Sequence, residues 1–400
     1  MYDYLIKDAT IVDGTGKKAY KGNVAIYKKD IAFISCTEKP KSKCVIDGSG
    51  LYLTPGFIDL HAHSELYMLN KPQMKGKLGQ GITTDCSGNC GIGVFPLNDG
   101  QEALKALSSE VLGNYPSWSW TTITEFKDKV RKNGVGVNVT FLQAQAPLRV
   151  AVMKEDCNRA ATKEEIDEMC ALLDKSLNDG AVGFSSGLYY APCLFATDEE
   201  MIALLKVVKE HDAFFAVHHK CEGDDVVESV ENVINYARVT GVRLEISHLK
   251  AIGVRNQDKV DKVLELIDRA VREDLDVKFD QYPYSFGSTS LFSLLPPRIQ
   301  KLSRIEQRFA LSIDAEIERM EEEMENPVGW DSIYSLCGSK NIKITELSTN
   351  KEYEGLNLDE LGEKLKLTPL RALLYVLSEE SGSAIMFDET ETEENLIKIL

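Results

Sequence analysis

Five side chains of the kinds that bind metal ions stand at or just beyond the ends of apolar segments in this sequence. The segment GFIDLHAH ends in His61 and His63, which are two residues apart and would face the same side of a β-strand. Cys90 follows the segment GITTDCSG, His218 ends FFAVH, and His248 follows RLEIS. Imidazole and thiolate groups are the usual ligands of zinc, so the set predicts a zinc centre.

The sequence leaves the number of metal ions open. Five ligands exceed one tetrahedral site, so two positions that share Cys90 are an alternative to a single zinc ion. Each residue alone has an ordinary structural explanation, since a cysteine in a glycine-rich loop is usually packing, but the joint placement favours a metal. His219 is left out because it would point away from the face of His218, and His211 because it falls in a predicted helix.

The segments that would position these residues alternate with segments of helix length. From residue 56 onward, seven strands are predicted at GFIDLHAH, GITTDCSG, NVTFLQAQ, AVGFSSG, FFAVHHK, RLEISHLK and DVKFDQYPY, with helices including residues 163–178, 198–211, 224–240 and 259–273. This alternation predicts an α/β fold with a parallel sheet, and polar residues at the strand ends favour a (β/α)8 TIM-type barrel. An open doubly wound sheet is the alternative, but no strand is followed by G-x-G-x-x-G.

Two domains are predicted. Residues 1–54 contain short strands separated by turn residues and are expected to form the N-terminal portion of a small β-sandwich. Residues 55–400 are expected to form the metal-dependent barrel, with an inserted subdomain at about residues 285–345. Because no eighth barrel strand is recognisable, we expect a barrel truncated before its last strand. We interpret the chain as a fragment of a longer enzyme, since a missing strand would leave two unpaired sheet edges.

Composition excludes several classes of partner. The formal net charge of -17 and the absence of a basic cluster argue against nucleic acid. No apolar run approaches the roughly 20 residues that span a bilayer, and the N-terminus lacks the pattern of a signal peptide. Nine cysteines without a paired framework are typical of reduced thiols, which predicts a cytoplasmic protein.

Several motifs resemble those of one enzyme family. PGFIDLHAH resembles the signature of the amidohydrolase superfamily, and QGITTDCSGNCGIGVFPL, GAVGFSSGLYYAP, VHHKCEG, EISHLKA and DQYPYSFGST resemble its N-acyl-D-amino-acid deacylase (D-aminoacylase) branch. The resemblance implies zinc-dependent hydrolysis of the amide bond of N-acyl-D-amino acids. It also implies a small-molecule substrate and is compatible with a homo-oligomer, although no residue pattern marks an interface.

The resemblance also assigns roles to individual residues. It implies that Cys90, His218 and His248 bind one zinc ion tightly, and that His61 and His63 contribute to a second, weaker position. The residues that it places around the substrate are Lys250, Tyr282 and Ser288, at the substrate carboxylate, and Tyr190 in the pocket wall.

The chain departs from the family at the position of its catalytic acid. Family members carry an Asp in a G-S-D-G motif at the end of the eighth strand, and residues 1–400 contain no such motif. Asp388 and Glu389 lie on the segment before that position and are not assigned its role, so the catalytic residue stays unknown. We therefore expect residues 1–400 alone to have little deacylase activity.

Two other functions stay open at this stage. The first is a cyclic amidase of the dihydroorotase or hydantoinase type, although the fourth strand, AVGFSSG, lacks the lysine that bridges two metals in those enzymes. The second is a non-catalytic metal-binding barrel, because the catalytic Asp is absent. Within the deacylase reading, Gln145 replaces a family histidine, Lys220 stands where an Arg is common, and Arg298 is a candidate contact for an acidic substrate.

Overall fold

The computed structural model describes residues 1–98, 101–380 and 382–400. The chain divides into two compact units, Met1–Ile58 with Lys77–Thr84, and Asp59–Gly76 with Asp85–Leu400. The first break lies close to the predicted boundary at residue 54, which stays a prediction. Of the helices in the described ranges, none combines the length and apolar character needed to cross a membrane.

The N-terminal unit contains one mixed sheet. Its strands, as the structure has them, are Tyr2–Ile11 (β1), Tyr20–Tyr27 (β2), Asp30–Ser35 (β3), Ser42–Asp47 (β4) and Tyr52–Leu53 (β5). They pair in the order β3-β2-β1-β4, with β5 also beside β1. The β1–β2 pair is antiparallel, whereas β1–β4 is parallel. The five strands of this unit therefore form a single layer. The β-sandwich expected from the sequence stays a prediction.

The second sheet contains all seven predicted strands in chain order. They are Phe57–Ala62 (β6), Ile82–Ser87 (β7), Asn138–Ala144 (β8), Gly183–Gly187 (β9), Phe214–His218 (β10), Arg243–Ile246 (β11) and Val277–Phe279 (β12). The pairs from β8 to β12 are parallel. Strands β9 and β10 are buried along almost their whole length, as expected for a parallel sheet covered on both faces.

Helices separate these strands, as the alternation predicts. They are Glu65–Asn70 (α1), Lys75–Leu78 (α2), Gln101–Leu112 (α3), Ile123–Asn133 (α4), Gln145–Met153 (α5), Lys163–Asn178 (α6), Asp198–Glu210 (α7), Val226–Thr240 (α8) and Val260–Arg272 (α9). Helix α6 begins at a capping box formed by Thr162 and Glu165, and α8 ends at Gly241 in the left-handed conformation (φ 71). These local signals explain why the bounds of α6 were predicted without error.

The buried apolar residues around the parallel sheet form one cluster, and a second cluster lies mostly between Leu291 and Met386. Its elements are the strands Phe286–Ser290 (β13), Ile342–Leu347 (β14) and Ala384–Glu389 (β15), and the helices Pro297–Gln300 (α10), Arg304–Ala310 (α11), Asp314–Glu325 (α12), Ile333–Cys337 (α13), Leu358–Leu365 (α14) and Pro369–Glu379 (α15), before Glu393–Ile399 (α16). The strands form an antiparallel sheet in the order β13-β15-β14. This structure continues beyond residue 345, where the predicted insertion ends, because β15 pairs back onto β13.

Candidate metal centre

The five predicted donors lie at the carboxyl ends of four strands of the parallel sheet. His61 is the second-last residue of strand β6, and His63 comes directly after that strand. His218 is the last residue of β10. Cys90 follows β7, and His248 comes two residues after β11. Since carboxyl ends of neighbouring parallel strands meet at one edge, side chains distant in sequence converge there.

The donors form two overlapping groups that share Cys90. One group contains His61, His63 and Cys90 and the other Cys90, His218 and His248, with donor atoms within 4.8 Å of one another in each group. Cys90 Sγ lies 3.2 Å from His61 Nε2 and 3.5 Å from His248 Nε2, and His218 Nδ1 lies 3.0 Å from His248 Nε2. Ligand atoms of one tetrahedral zinc ion lie roughly 3–4 Å apart, so both the donor types and their spacing fit zinc.

Asp280, which sequence reasoning missed, orients two of the donors. Its carboxylate lies 3.0 and 3.1 Å from His61 Nδ1, and it accepts a hydrogen bond of 2.7 Å from the backbone N–H of His248. A carboxylate on Nδ1 leaves Nε2 of His61 directed at Cys90, as in the outer shell of many metal centres. Asp280 directly follows β12, so its strand-end position was a signal available in the sequence.

The backbone at two donors is strained. Cys90 and His248 have φ values of 54 and 38, in the left-handed region that non-glycine residues rarely adopt. The loop of Cys90 also packs tightly on β9, since a Cβ atom at Gly187 would lie 2.2 Å from the carbonyl oxygen of Cys90. A glycine at this strand end is therefore required for the thiol to reach the histidines.

Charges within the centre keep the cysteine in its metal-binding form. Burial alone would raise the pKa of the Cys90 thiol, but His61 and His248 outweigh burial and hold that pKa well below its usual range. Burial alone would lower the pKa of His61, but Cys90 and Asp280 hold it well above its usual range. The thiolate is the form of cysteine that binds metal ions.

Lys250 and Glu222 form a buried ion pair beside the donors. Lys250 Nζ lies 2.6 Å from Glu222 Oε1, and the same oxygen lies 3.0 Å from His248 Nδ1. Burial alone would raise the pKa of Glu222, but Lys250 and His218 hold it well below its usual range. Glu222 is the second residue that sequence reasoning missed, although it lies within the motif VHHKCEG.

A cavity of about 70 Å³ opens beside this pair. The four residues predicted to contact substrate, Lys250, Tyr190, Tyr282 and Ser288, all line it, together with His218 and His248. The hydroxyl groups of Tyr190 and Thr289 lie 3.3 Å apart. A second cavity, of about 90 Å³, lies against Cys90 and Tyr190, and its wall includes Val111 and Phe292.

Other residues singled out in the sequence lie elsewhere. Gln145 is buried and bonds to Glu200 (2.7 Å) and Ser186 (2.5 Å), so its amide groups are engaged inside the protein. Arg298 pairs with Glu323 and Glu316 and lines neither cavity. The two histidines that were left out bond away from the centre, His219 to Ser229 and His211 to Asp174.

Residues 44–242 of the chain match the Amidohydrolase family. Within it, D-aminoacylase of Alcaligenes xylosoxydans xylosoxydans is 33% identical over 290 residues, which are 72% of this chain and 59% of that protein. N-acyl-D-aspartate deacylase of the same organism is 36% identical over 290 residues, 72% of this chain and 57% of that protein. The chain thus spans less than three fifths of the length of either relative.

A solved structure extends this similarity to the whole chain. N-acyl-D-glutamate deacylase from Bordetella bronchiseptica, complexed with zinc and a phosphonate inhibitor that mimics the tetrahedral intermediate of the reaction, has a TM-score of 0.82 and 28% sequence identity. The match covers 100% of this chain and 73% of that chain. The fold and the family therefore agree with the interpretation of the sequence motifs.

Proposed function

We propose that the protein is a zinc-dependent amidohydrolase that cleaves the amide bond of N-acyl-D-amino acids, releasing a carboxylate and a D-amino acid. The observation that carries this proposal is the cavity that joins His218 and His248 to Lys250, Tyr282 and Ser288. At one end of this cavity, His218 and His248 would hold a metal ion beside the amide carbonyl. Nearby groups offer a cation and hydroxyls for a carboxylate.

The proposed ligands are Cys90, His218 and His248 for a tight zinc ion, with His61 and His63 at a second, weaker position. Support comes from the two donor groups that share Cys90. When bound, zinc supplies a Lewis acid that polarises the amide carbonyl and activates water for attack. Asp280 holds the ring of His61 in place, and Glu222 does the same for Nδ1 of His248.

The remaining residues orient the substrate. We assign Lys250, Tyr282 and Ser288 to its carboxylate and Tyr190 to the wall beside the scissile amide, because these side chains face one cavity. Lys250 already contacts Glu222, so a bound carboxylate would join an existing ion pair rather than meet an isolated cation. We assign no general acid or base for the leaving amine.

The finer description of the fold belongs to the same proposal. We infer a (β/α)8 barrel joined to a small β-sandwich domain, on the support of the parallel sheet β6–β12 and the similarity to the Bordetella enzyme. We also infer a cytoplasmic location, because all nine cysteines are free thiols.

Elemental analysis of the purified chain tests the centre without relying on turnover. We expect about one tightly held zinc ion per chain, lost on replacing Cys90 by alanine. Cys170→Ala is the matched control, because Cys170 lies on helix α6 and is not one of the donors. A wild-type chain that retains no zinc, or a Cys90→Ala variant that keeps all of it, would contradict the proposal.

A further inference from the structure

Asp388 is a buried carboxylate that the fold does not use. It lies on β15, opposite Gly287 of β13 and Ile342 of β14, and is only 3% exposed. Its Oδ1 atom has no hydrogen-bond partner among the described residues. An oxygen of a buried carboxylate that lacks a partner is unfavourable, which makes Asp388 a candidate to bind a ligand.

The unpaired oxygen faces the substrate cavity. A Cβ atom at Gly287 would lie 3.1 Å from Asp388 Oδ1 and 3.6 Å from the hydroxyl oxygen of Tyr282. That hydroxyl interacts with the side chain of Thr390. The space left open by the absent side chain at Gly287 therefore lies beside Asp388 Oδ1 and the Tyr282 hydroxyl. Asp388, Gly287 and Tyr282 all line the cavity beside Lys250.

The charges around the cavity do not balance. Among the described side chains that line it, Glu222, Asp331 and Asp388 are acidic. Lys250 is the one lysine among them, and they include no arginine. Lys250 is paired with Glu222 at 2.6 Å, and Asp331 accepts a hydrogen bond of 2.8 Å from the backbone N–H of Gly223. Asp388 has no such partner for its Oδ1 atom, before the charge of a bound zinc ion is counted. Burial raises the pKa of Asp388 to about 6, against the lowering effect of Lys250.

The wall near these acids is apolar. Ile252, Ile333 and Leu336 line the same cavity. A ligand with a methylene chain could pack along this wall and end in a charged group at Asp388. Lysine and arginine side chains have this construction, an aliphatic stem with a cationic end.

We propose that Asp388 is a specificity-determining residue that selects N-acyl-D-amino acids whose side chain ends in an ammonium or guanidinium group. This inference rests on the proposed deacylase function and goes further by naming the substrate class. It is the opposite preference to the one first considered for Arg298, whose guanidinium is committed to Glu316 and Glu323.

Product binding measures this preference without turnover. Isothermal titration calorimetry of the zinc-loaded chain would compare D-lysine, D-norleucine and D-glutamate, which share the α-amino and α-carboxyl groups. Norleucine keeps the aliphatic stem of lysine and lacks its ammonium group. We expect D-lysine to bind at least about 10-fold more tightly than D-norleucine, because a charge-assisted hydrogen bond to a buried carboxylate is gained.

Variants of one strand assign the effect to Asp388. Asp388→Asn is expected to reduce D-lysine binding to the level of D-norleucine, and an unchanged circular dichroism spectrum reports that the variant is folded. Glu389→Gln is the matched control, since Glu389 is the exposed neighbour on β15, and it should keep the wild-type preference. Should Asp388→Asn fail to fold, the comparison of ligands on the wild-type chain still decides.

The outcomes separate the two proposals. If D-norleucine or D-glutamate binds the wild-type chain as tightly as D-lysine, the inference about Asp388 is wrong and the deacylase proposal stands. An unchanged lysine preference in Asp388→Asn also overturns it. If none of the three D-amino acids binds the zinc-loaded chain, both proposals fail.

Discussion

A single carboxylate, Asp280, links two donor residues through different atoms. It contacts the ring of His61 and the backbone N–H of His248. These donors come from the first and sixth strands of the parallel sheet, so Asp280 sets their relative position. His61 without this contact would be free to rotate, and its second nitrogen could turn away from Cys90.

Replacing Asp280 by asparagine should weaken zinc binding by about 10–100-fold, the usual effect of losing a carboxylate behind a ligating histidine. Competition with a chelator of known zinc affinity measures the change. Asp276→Asn is the control, because Asp276 is an exposed acid just before the other end of β12. Equal zinc affinities in the two variants would show that Asp280 does not orient the donors.

At the scale of single residues, the sequence indicates candidate metal ligands better than the acidic residues that orient them. His61, His218 and His248 could be predicted as donors because histidine at a strand end is rare and its chemistry is specific. Asp280 and Glu222 were overlooked because acids are abundant in this chain and their partners are distant in sequence. Asp388 was noted as an acid in the sequence but given no role, since its position depends on an antiparallel pairing that no local pattern specifies.

Among the elements, β9 and the loop that carries Cys90 form the tightest junction at the centre. Gly187 is the last residue of β9, and a Cβ atom there would overlap the carbonyl of Cys90 at 2.2 Å. Since the interior is close-packed, an added methyl group must displace the loop or the strand. Either movement would shift the Cys90 thiol away from the histidines.

Gly187→Ala should therefore lower the free energy of unfolding by about 1–3 kcal/mol and reduce the zinc content. Urea denaturation and elemental analysis measure the two effects. Gly76→Ala is a control for the loss of glycine, because a Cβ atom at Gly76 would have no neighbour within 4 Å. Gly187→Ala with wild-type stability and zinc content would show that the junction adapts without strain.

The elements themselves were largely predictable where periodicity and capping agree. All seven strands of the parallel sheet and the bounds of α6 follow from alternating apolar segments and cap residues. The extent of the segment after β12 did not follow, because β15 pairs with β13 across almost one hundred residues. Long-range pairing of this kind depends on tertiary packing, which a single sequence does not display.

For the molecule as a whole, zinc should act as a stabiliser. A ligand that binds only the folded chain adds about 2.7 kcal/mol at 100 times its Kd. We expect zinc to raise the Tm of the metal-free protein by on the order of 5 °C, as measured by differential scanning calorimetry. In Cys90→Ala this shift should disappear, and an equal shift in both proteins would mean that zinc binds elsewhere.

The residues that line the candidate site come from two parts of the chain. Asp388 and Ser288 lie on the antiparallel sheet of the second cluster, whereas the metal donors lie at the ends of parallel strands. A change in β15 thus alters the charge of the cavity without moving a donor. A protein built in this way can vary the charge of its cavity through one auxiliary sheet while its donor set is inherited intact, and directed evolution of ligand choice would begin with the same strands.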